Sequence, residues 1–222
     1  MRWLTRSEAA ARLEGRTVAV VGSGPGVMTC RRGAIDACEV VVRVNNYKLA
    51  GERTGKRTDV FYSYFGSAIR KTATELKRDG VTMCMSKIPN AHAIESEWHR
   101  QRGQMVGVDF RGHFERRAGW WFCDTYVPTV EEFLVGFELL GRRMPTTGFA
   151  AILDVLSFGP RSVLIAGFDF FRSKVHNLNE RWKPRNMDDP IGHAPERELA
   201  WLQQNWRRHP VTVDPALEHL LR

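Results

Sequence analysis

The sequence predicts an α/β fold: a single domain, residues 1–222, built on a mostly parallel sheet. Three observations predict it. Short apolar runs rich in β-branched residues alternate with helical stretches along the chain, the pattern that lays helices against a parallel sheet. The first long run, Val18-Ala19-Val20-Val21, ends on a glycine-rich turn, Gly22-Ser23-Gly24-Pro25-Gly26, as an interior parallel strand does where it opens onto a ligand. Hydrophobic residues make up 43% of the chain and charged residues 26%, enough to bury a sizeable core, with no linker or low-complexity stretch.

The elements follow in order. Thr5 and Glu8 form a capping box that starts a short N-terminal helix, and Gly15 can end it. Strands are expected at Thr17–Val21, Glu39–Val44, Asp59–Tyr62, Val81–Cys84, Met105–Val108, Ser162–Ala166 and Val211–Val213. Helices are expected at Gly66–Arg78, Thr129–Leu140, Thr147–Ser157 and Ala194–Trp206. A long polar loop, about 168–193, precedes the last of these and reads as a lid.

Composition narrows the function. The net charge of +8 is spread along the chain without a compact Lys/Arg run or a recognisable nucleic-acid motif, so no nucleic-acid partner is expected. No apolar run approaches the roughly 20 residues of a membrane span, and the N-terminus carries charges where a signal peptide would be apolar. The four cysteines show no CxxC pair, which suggests neither a zinc site nor a disulfide framework and suits the cytoplasm.

Four segments fall where a parallel sheet binds ligands, beyond the carboxyl ends of strands. The first is the turn Gly22-Ser23-Gly24-Pro25, whose glycines let backbone N–H groups approach a phosphate. It lacks the third glycine of a dinucleotide fingerprint, Pro25 removes one donor, Glu39 lies too close to serve as a ribose-binding carboxylate, and no Walker A lysine follows. A tight structural turn is the alternative. The second segment, Arg43-Val44-Asn45-Asn46, offers carboxamides to a ribose or phosphate, or simply turns the chain. In the third, Pro145-Thr146-Thr147-Gly148-Phe149, a threonine caps a helix whose N-terminus suits an anion. The fourth, Gly192-His193-Ala194-Pro195, sets a histidine just before a helix, as a base or as a solvated loop residue.

As an ordered set, G-x-G-P, R-V-N, T-T-G-F and G-H-x-P resemble the bacterial sialyltransferases of glycosyltransferase family 42. They also share the H-x-x-x-x-E pattern of the family 29 animal enzymes, here His193 to Glu198. The resemblance runs from Val18 to about Trp206. It implies a Rossmann-like, GT-A-like sialyltransferase domain that uses a CMP-activated keto-sugar donor and a glycan acceptor. It further implies that Gly22, Ser23, Gly24, Pro25 and Asn45 hold the nucleotide, that Thr146, Thr147 and Gly148 lie against the donor's sugar or carboxylate, and that His193 is the general base. An imidazole of ordinary pKa, roughly 6.5, suits that task near neutral pH. No Asp-x-Asp motif is present to hold a divalent ion, so the expectation is a metal-independent, inverting transfer without a cofactor.

The chain departs from that family in two places. Ser23 stands where the family turn has asparagine, and residues 172–189 contain no tyrosine to meet the leaving phosphate. His176, Arg181 and Lys183 are the basic candidates for that role, and spacing does not choose among them. The donor therefore stays open between CMP-sialic acid and CMP-Kdo, with a bacterial surface glycan such as lipopolysaccharide or capsule as acceptor. Peripheral contact with the inner membrane, aided by Trp120, Trp121, Trp201 and Trp206, and self-association belong to the same expectation, although helical spacing favours core packing for Trp201 and Trp206. The reading from another class is a non-catalytic nucleotide-binding protein, or a Rossmann-type oxidoreductase or methyltransferase.

Overall fold

A computed structural model describes residues 2–65, 69–89, 123–173, 175–176, 180–181 and 192–222. Within them one sheet contains β1 (Trp3–Leu4), β2 (Thr17–Val21), β3 (Val40–Val44), β4 (Val60–Ser63), β5 (Met83–Ser86), β6 (Asp124–Tyr126), β7 (Ser162–Ala166) and β10 (Val211–Val213). A separate antiparallel pair joins β8 (Val175–His176) to β9 (Glu180–Arg181). The helices are α1 (Arg6–Ala10), α2 (Ala73–Arg78), α3 (Val130–Leu139), α4 (Thr147–Ser157), α5 (Pro195–Asn205) and α6 (Pro215–Leu221).

Every pair of neighbours in the main sheet is parallel, in the order β1-β6-β5-β4-β3-β2-β7-β10. From β2 the chain builds outward through β3, β4, β5 and β6, then crosses back to lay β7 against the other side of β2. That reversal is the topological switch point at which open α/β sheets bind ligands.

The strands read as unbroken apolar runs because both faces are covered. Val18 and Val20 pack into a core with Ile152 and Val155 of α4, Leu199 and Leu202 of α5, and Leu217 and Leu221 of α6. Ala19 and Val21 point the other way, into a cluster with Val27, Cys30 and Ile35. Each fully buried aliphatic side chain of this kind contributes about 1.5–3 kcal/mol. Trp201 and Trp206 pack against the main core, and Trp201 meets Phe149 edge-to-face at 5.4 Å. Trp120 and Trp121 lie outside the described residues.

The predicted strands at Thr17–Val21, Ser162–Ala166 and Val211–Val213 are matched end to end. The one expected at Glu39–Val44 starts one residue later, at Val40, and those expected at Asp59–Tyr62 and Val81–Cys84 are shifted toward the C-terminus by one and two residues. Met105–Val108 lies outside the described residues. The helix expected over Gly66–Arg78 needs correction: the described part is helical only from Ala73. Thr72 is its N-cap, accepting from Glu75 N–H while the Glu75 carboxylate accepts from Thr72 N–H, so the capping box starts the helix there. The Thr5–Glu8 box caps α1 as expected. Among the described residues no helix is long and apolar enough to cross a membrane.

Candidate active site

At the carboxyl edge of the sheet, Gly22 follows β2, Asn45 follows β3, Lys87 follows β5, Gly167 follows β7 and Asp214 follows β10. The turns after β2 and β7 are stitched together. Gly22 N–H donates to Ala166 O and Gly24 N–H to Gly167 O, both at 2.8 Å. A Cβ on Gly22 would stand 2.3 Å from Gly167 O, so only glycine permits the approach. Gly167 is held in turn by its N–H to Asp214 Oδ2 at 2.7 Å, and Asp214 also caps α6. Two backbone donors that the sequence offers to a phosphate are thus engaged inside the protein. Beside the turn, Gly22 and Ser23 line a small cleft with Val21, Val27, Arg43, Lys48 and Thr54. Gly24 caps a short helical turn whose first residue is Pro25.

Arg43 is 1% exposed and forms no ion pair among the described residues. Its guanidinium donates to the carbonyls of Arg57 and Thr54 and lies 5.7 Å from the centre of the Tyr47 ring. Burial pushes its pKa down to about 10, which leaves it protonated at neutral pH. The fork ties the 54–57 loop to β3, so Arg43→Met strands two carbonyls. The variant is expected to lose about 2–4 kcal/mol of stability, read as a lower denaturant midpoint. Arg43→Lys recovers little, because an ammonium lacks the fork.

Asn45 adopts φ +49°, a left-handed conformation, with its N–H on Tyr62 O. Its Oδ1 accepts from Ser63 Oγ at 3.1 Å, which leaves the amide N–H groups as the side chain's remaining hydrogen-bonding function. Asn46 uses its own Oδ1 to hold Arg70 N–H at 2.7 Å.

The third and fourth segments meet. Thr146 caps α4 by accepting from Phe149 N–H, and it donates both its N–H (2.6 Å) and its hydroxyl (2.8 Å) to the carboxylate of Glu198 on α5. Thr146 is therefore used inside the protein, whereas Thr147 and Gly148 open the first turn of α4, where N–H groups have no partner within the helix. Gly148 also needs its lack of a side chain, since a Cβ would lie 2.5 Å from the Phe168 ring. Arg143 locks the join from the other side, donating to Gly192 O (2.9 Å) and His193 O (3.1 Å).

His193 is half-buried just before α5, with Nδ1 at 2.9 Å from Met144 O. A carbonyl can only accept, so Nδ1 carries the proton and Nε2 carries the lone pair. Burial, joined by the charges of Lys87 and Arg143, pushes the His193 pKa down to about 4, so the ring is neutral across the physiological range. The Glu198 carboxyl is pushed up to about 7 by its own burial. A neutral imidazole with an available Nε2 can accept a proton from a hydroxyl.

In the loop after β7, Phe170 and Phe171 stand at φ +52° and +63°, costing about 1–3 kcal/mol each. The Asp169 carboxylate holds this turn by accepting from Phe171 N–H and Ser173 N–H. His176 lies in β8 and Arg181 in β9, while Lys183 and most of the segment read as a lid are outside the described residues. Sequence reading missed Lys87, Arg143 and Asp214 as residues that build this edge. Lys87 had one signal, a charge closing the apolar run of β5.

No protein-family model matches the chain, and no curated protein matches it. Solved structures do. The sialyltransferase CstII of Campylobacter jejuni, in complex with the substrate analogue CMP-3FNeuAc, is 14% identical with a TM-score of 0.54, covering 90% of this chain and 81% of that one. The monofunctional alpha-2,3-sialyltransferase Cst-I of the same organism gives 14% and 0.57, over 90% and 76%. A mammalian sialyltransferase in complex with Gal-beta-1-3GalNAc-ortho-nitrophenol gives 14% and 0.60, over 93% and 72%. At this identity the likeness shows the fold.

Proposed function

We propose that the chain is an inverting, metal-independent glycosyltransferase. It moves sialic acid from CMP-sialic acid to a hydroxyl of a bacterial surface glycan, acting peripherally at the cytoplasmic face of the inner membrane. The observation that carries this reading is His193: a neutral imidazole with Nε2 available, fixed beside the α4 N-terminus at the ligand-binding edge of this fold. The shared fold of the two bacterial structures and the mammalian one supports it.

Nε2 takes the acceptor hydroxyl's proton as its oxygen bonds to the anomeric carbon. The bond from that carbon to the phosphate oxygen breaks, and CMP leaves on the opposite face. Departure is well advanced in an oxocarbenium-like transition state, so the hydroxyl needs only modest help from a weak base. Asn45 and the Gly22–Pro25 turn would hold the nucleotide, Thr147 and Gly148 the sugar. The leaving phosphate's charge would fall to the basic residues His176, Arg181 or Lys183. CMP-Kdo is the second donor, favoured by Ser23 and by the tyrosine-free stretch 172–189.

Calorimetric titration with CMP, with and without EDTA, tests the reading, followed by CMP release from CMP-sialic acid and from CMP-Kdo. EDTA-insensitive CMP binding with turnover of one donor is the expected result. Binding of NAD or S-adenosylmethionine with none of CMP would overturn it.

A further inference from the structure

Lys87 closes β5 and is 7% exposed. Its backbone N–H donates to Ser63 O at 2.9 Å, which fixes it at the same sheet edge as Asn45 and Ser63. Its ammonium makes no hydrogen bond and no ion pair among the described residues. The nearby carboxylate that acts on it, Glu198, has both oxygens engaged by Thr146. Burial pushes the Lys87 pKa down to about 8, so the group is still mainly protonated at neutral pH. A desolvated cation without a contacting counterion is costly for a fold to keep. The cost is offset where a ligand brings the counterion.

The proposed donor has two anionic groups, a phosphate and a carboxylate, both bonded to the anomeric carbon. An in-line displacement puts the attacking hydroxyl and its base on the face opposite the phosphate. The charge of Lys87 disfavours the imidazolium of His193, the base. The turn expected to hold the nucleotide follows β2, three strands from β5 and hence roughly 14 Å away along the edge. The carboxylate is the anion left for Lys87.

We propose that Lys87 binds the carboxylate of the donor sugar and thereby selects keto-acid donors over neutral sugars. The assignment rests on the donor reading given under Proposed function. It is tested by titrating wild type and Lys87→Met with CMP and with the fluorinated CMP-sialic acid analogue. In wild type the analogue is expected to bind more tightly than CMP. Lys87→Met should bind CMP as wild type does but lose at least tenfold in affinity for the analogue. CMP binding reports that the variant is folded, and Lys87→Gln takes its place if the methionine variant does not fold.

Unchanged analogue affinity in the variant would overturn the assignment, as would an equal loss for CMP and analogue, which a structural role predicts. If wild type binds CMP but neither the analogue nor CMP-Kdo binds more tightly than CMP, the Lys87 assignment fails while the nucleotide reading stands. If wild type does not bind CMP, both fail together.

Discussion

Replacing His193 by alanine is expected to lower kcat by about 10²–10⁴-fold while leaving CMP affinity within a factor of about two. The side chain is half-buried, and its hydrogen bond from Nδ1 to Met144 O, the one it makes among the described residues, orients the ring without holding the nucleotide turn. The pH profile gives a second readout. Burial and the charges of Lys87 and Arg143 disfavour the imidazolium, so the ring stays neutral down to about pH 4. The acid limb of kcat/KM that belongs to His193 is therefore expected well below the roughly 6.5 of a free imidazole. Stability carries the same sign: the unfolded histidine binds its proton near 6.5 and the folded one near 4, so this group's contribution is present above 6.5 and lost as the pH falls through 4. Full turnover in His193→Ala, measured with whichever CMP-sugar the wild type uses, would remove His193 as the base.

Gly22→Ala should cost about 3 kcal/mol of stability and abolish CMP binding. The added methyl meets Gly167 O at 2.3 Å, a backbone atom that cannot rotate aside. Gly167 cannot retreat freely either, because its N–H is bonded to Asp214 and its φ is +74°. The strain therefore opens the paired turns, breaking the bonds from Gly22 to Ala166 and from Gly24 to Gly167. A denaturant midpoint equal to that of wild type would show that the turns separate without cost. It would also remove the glycine pair as the organiser of the switch point.

Much of the fold was legible because its signals are local. Val18-Ala19-Val20-Val21 reads as a strand since both faces of β2 are covered and every position is apolar. Thr5–Glu8 and Thr146 mark helix starts because a cap acts within three residues. The two-residue β1 and the three-residue β6 went unseen. So did α6, although Asp214-Pro215 is a cap followed by a proline at the first helical position.

By itself the sequence determined the parallel α/β class, the glycine turn at the end of β2, and the positions of Asn45, Thr146–Gly148 and His193 just beyond strands or before helices. Only the tertiary structure decided which of their groups are already engaged. Gly22 and Gly24 give their N–H donors to carbonyls more than 140 residues away, and Thr146 gives both of its donors to Glu198, 52 residues on. Strand order did the rest, bringing the charge of Lys87 after β5 to bear on His193 before α5 and burying it without a contacting counterion among the described residues. Propensity and periodicity are set by neighbours a few residues apart. Desolvation and hydrogen-bond partnership are set by whatever the sheet order places alongside.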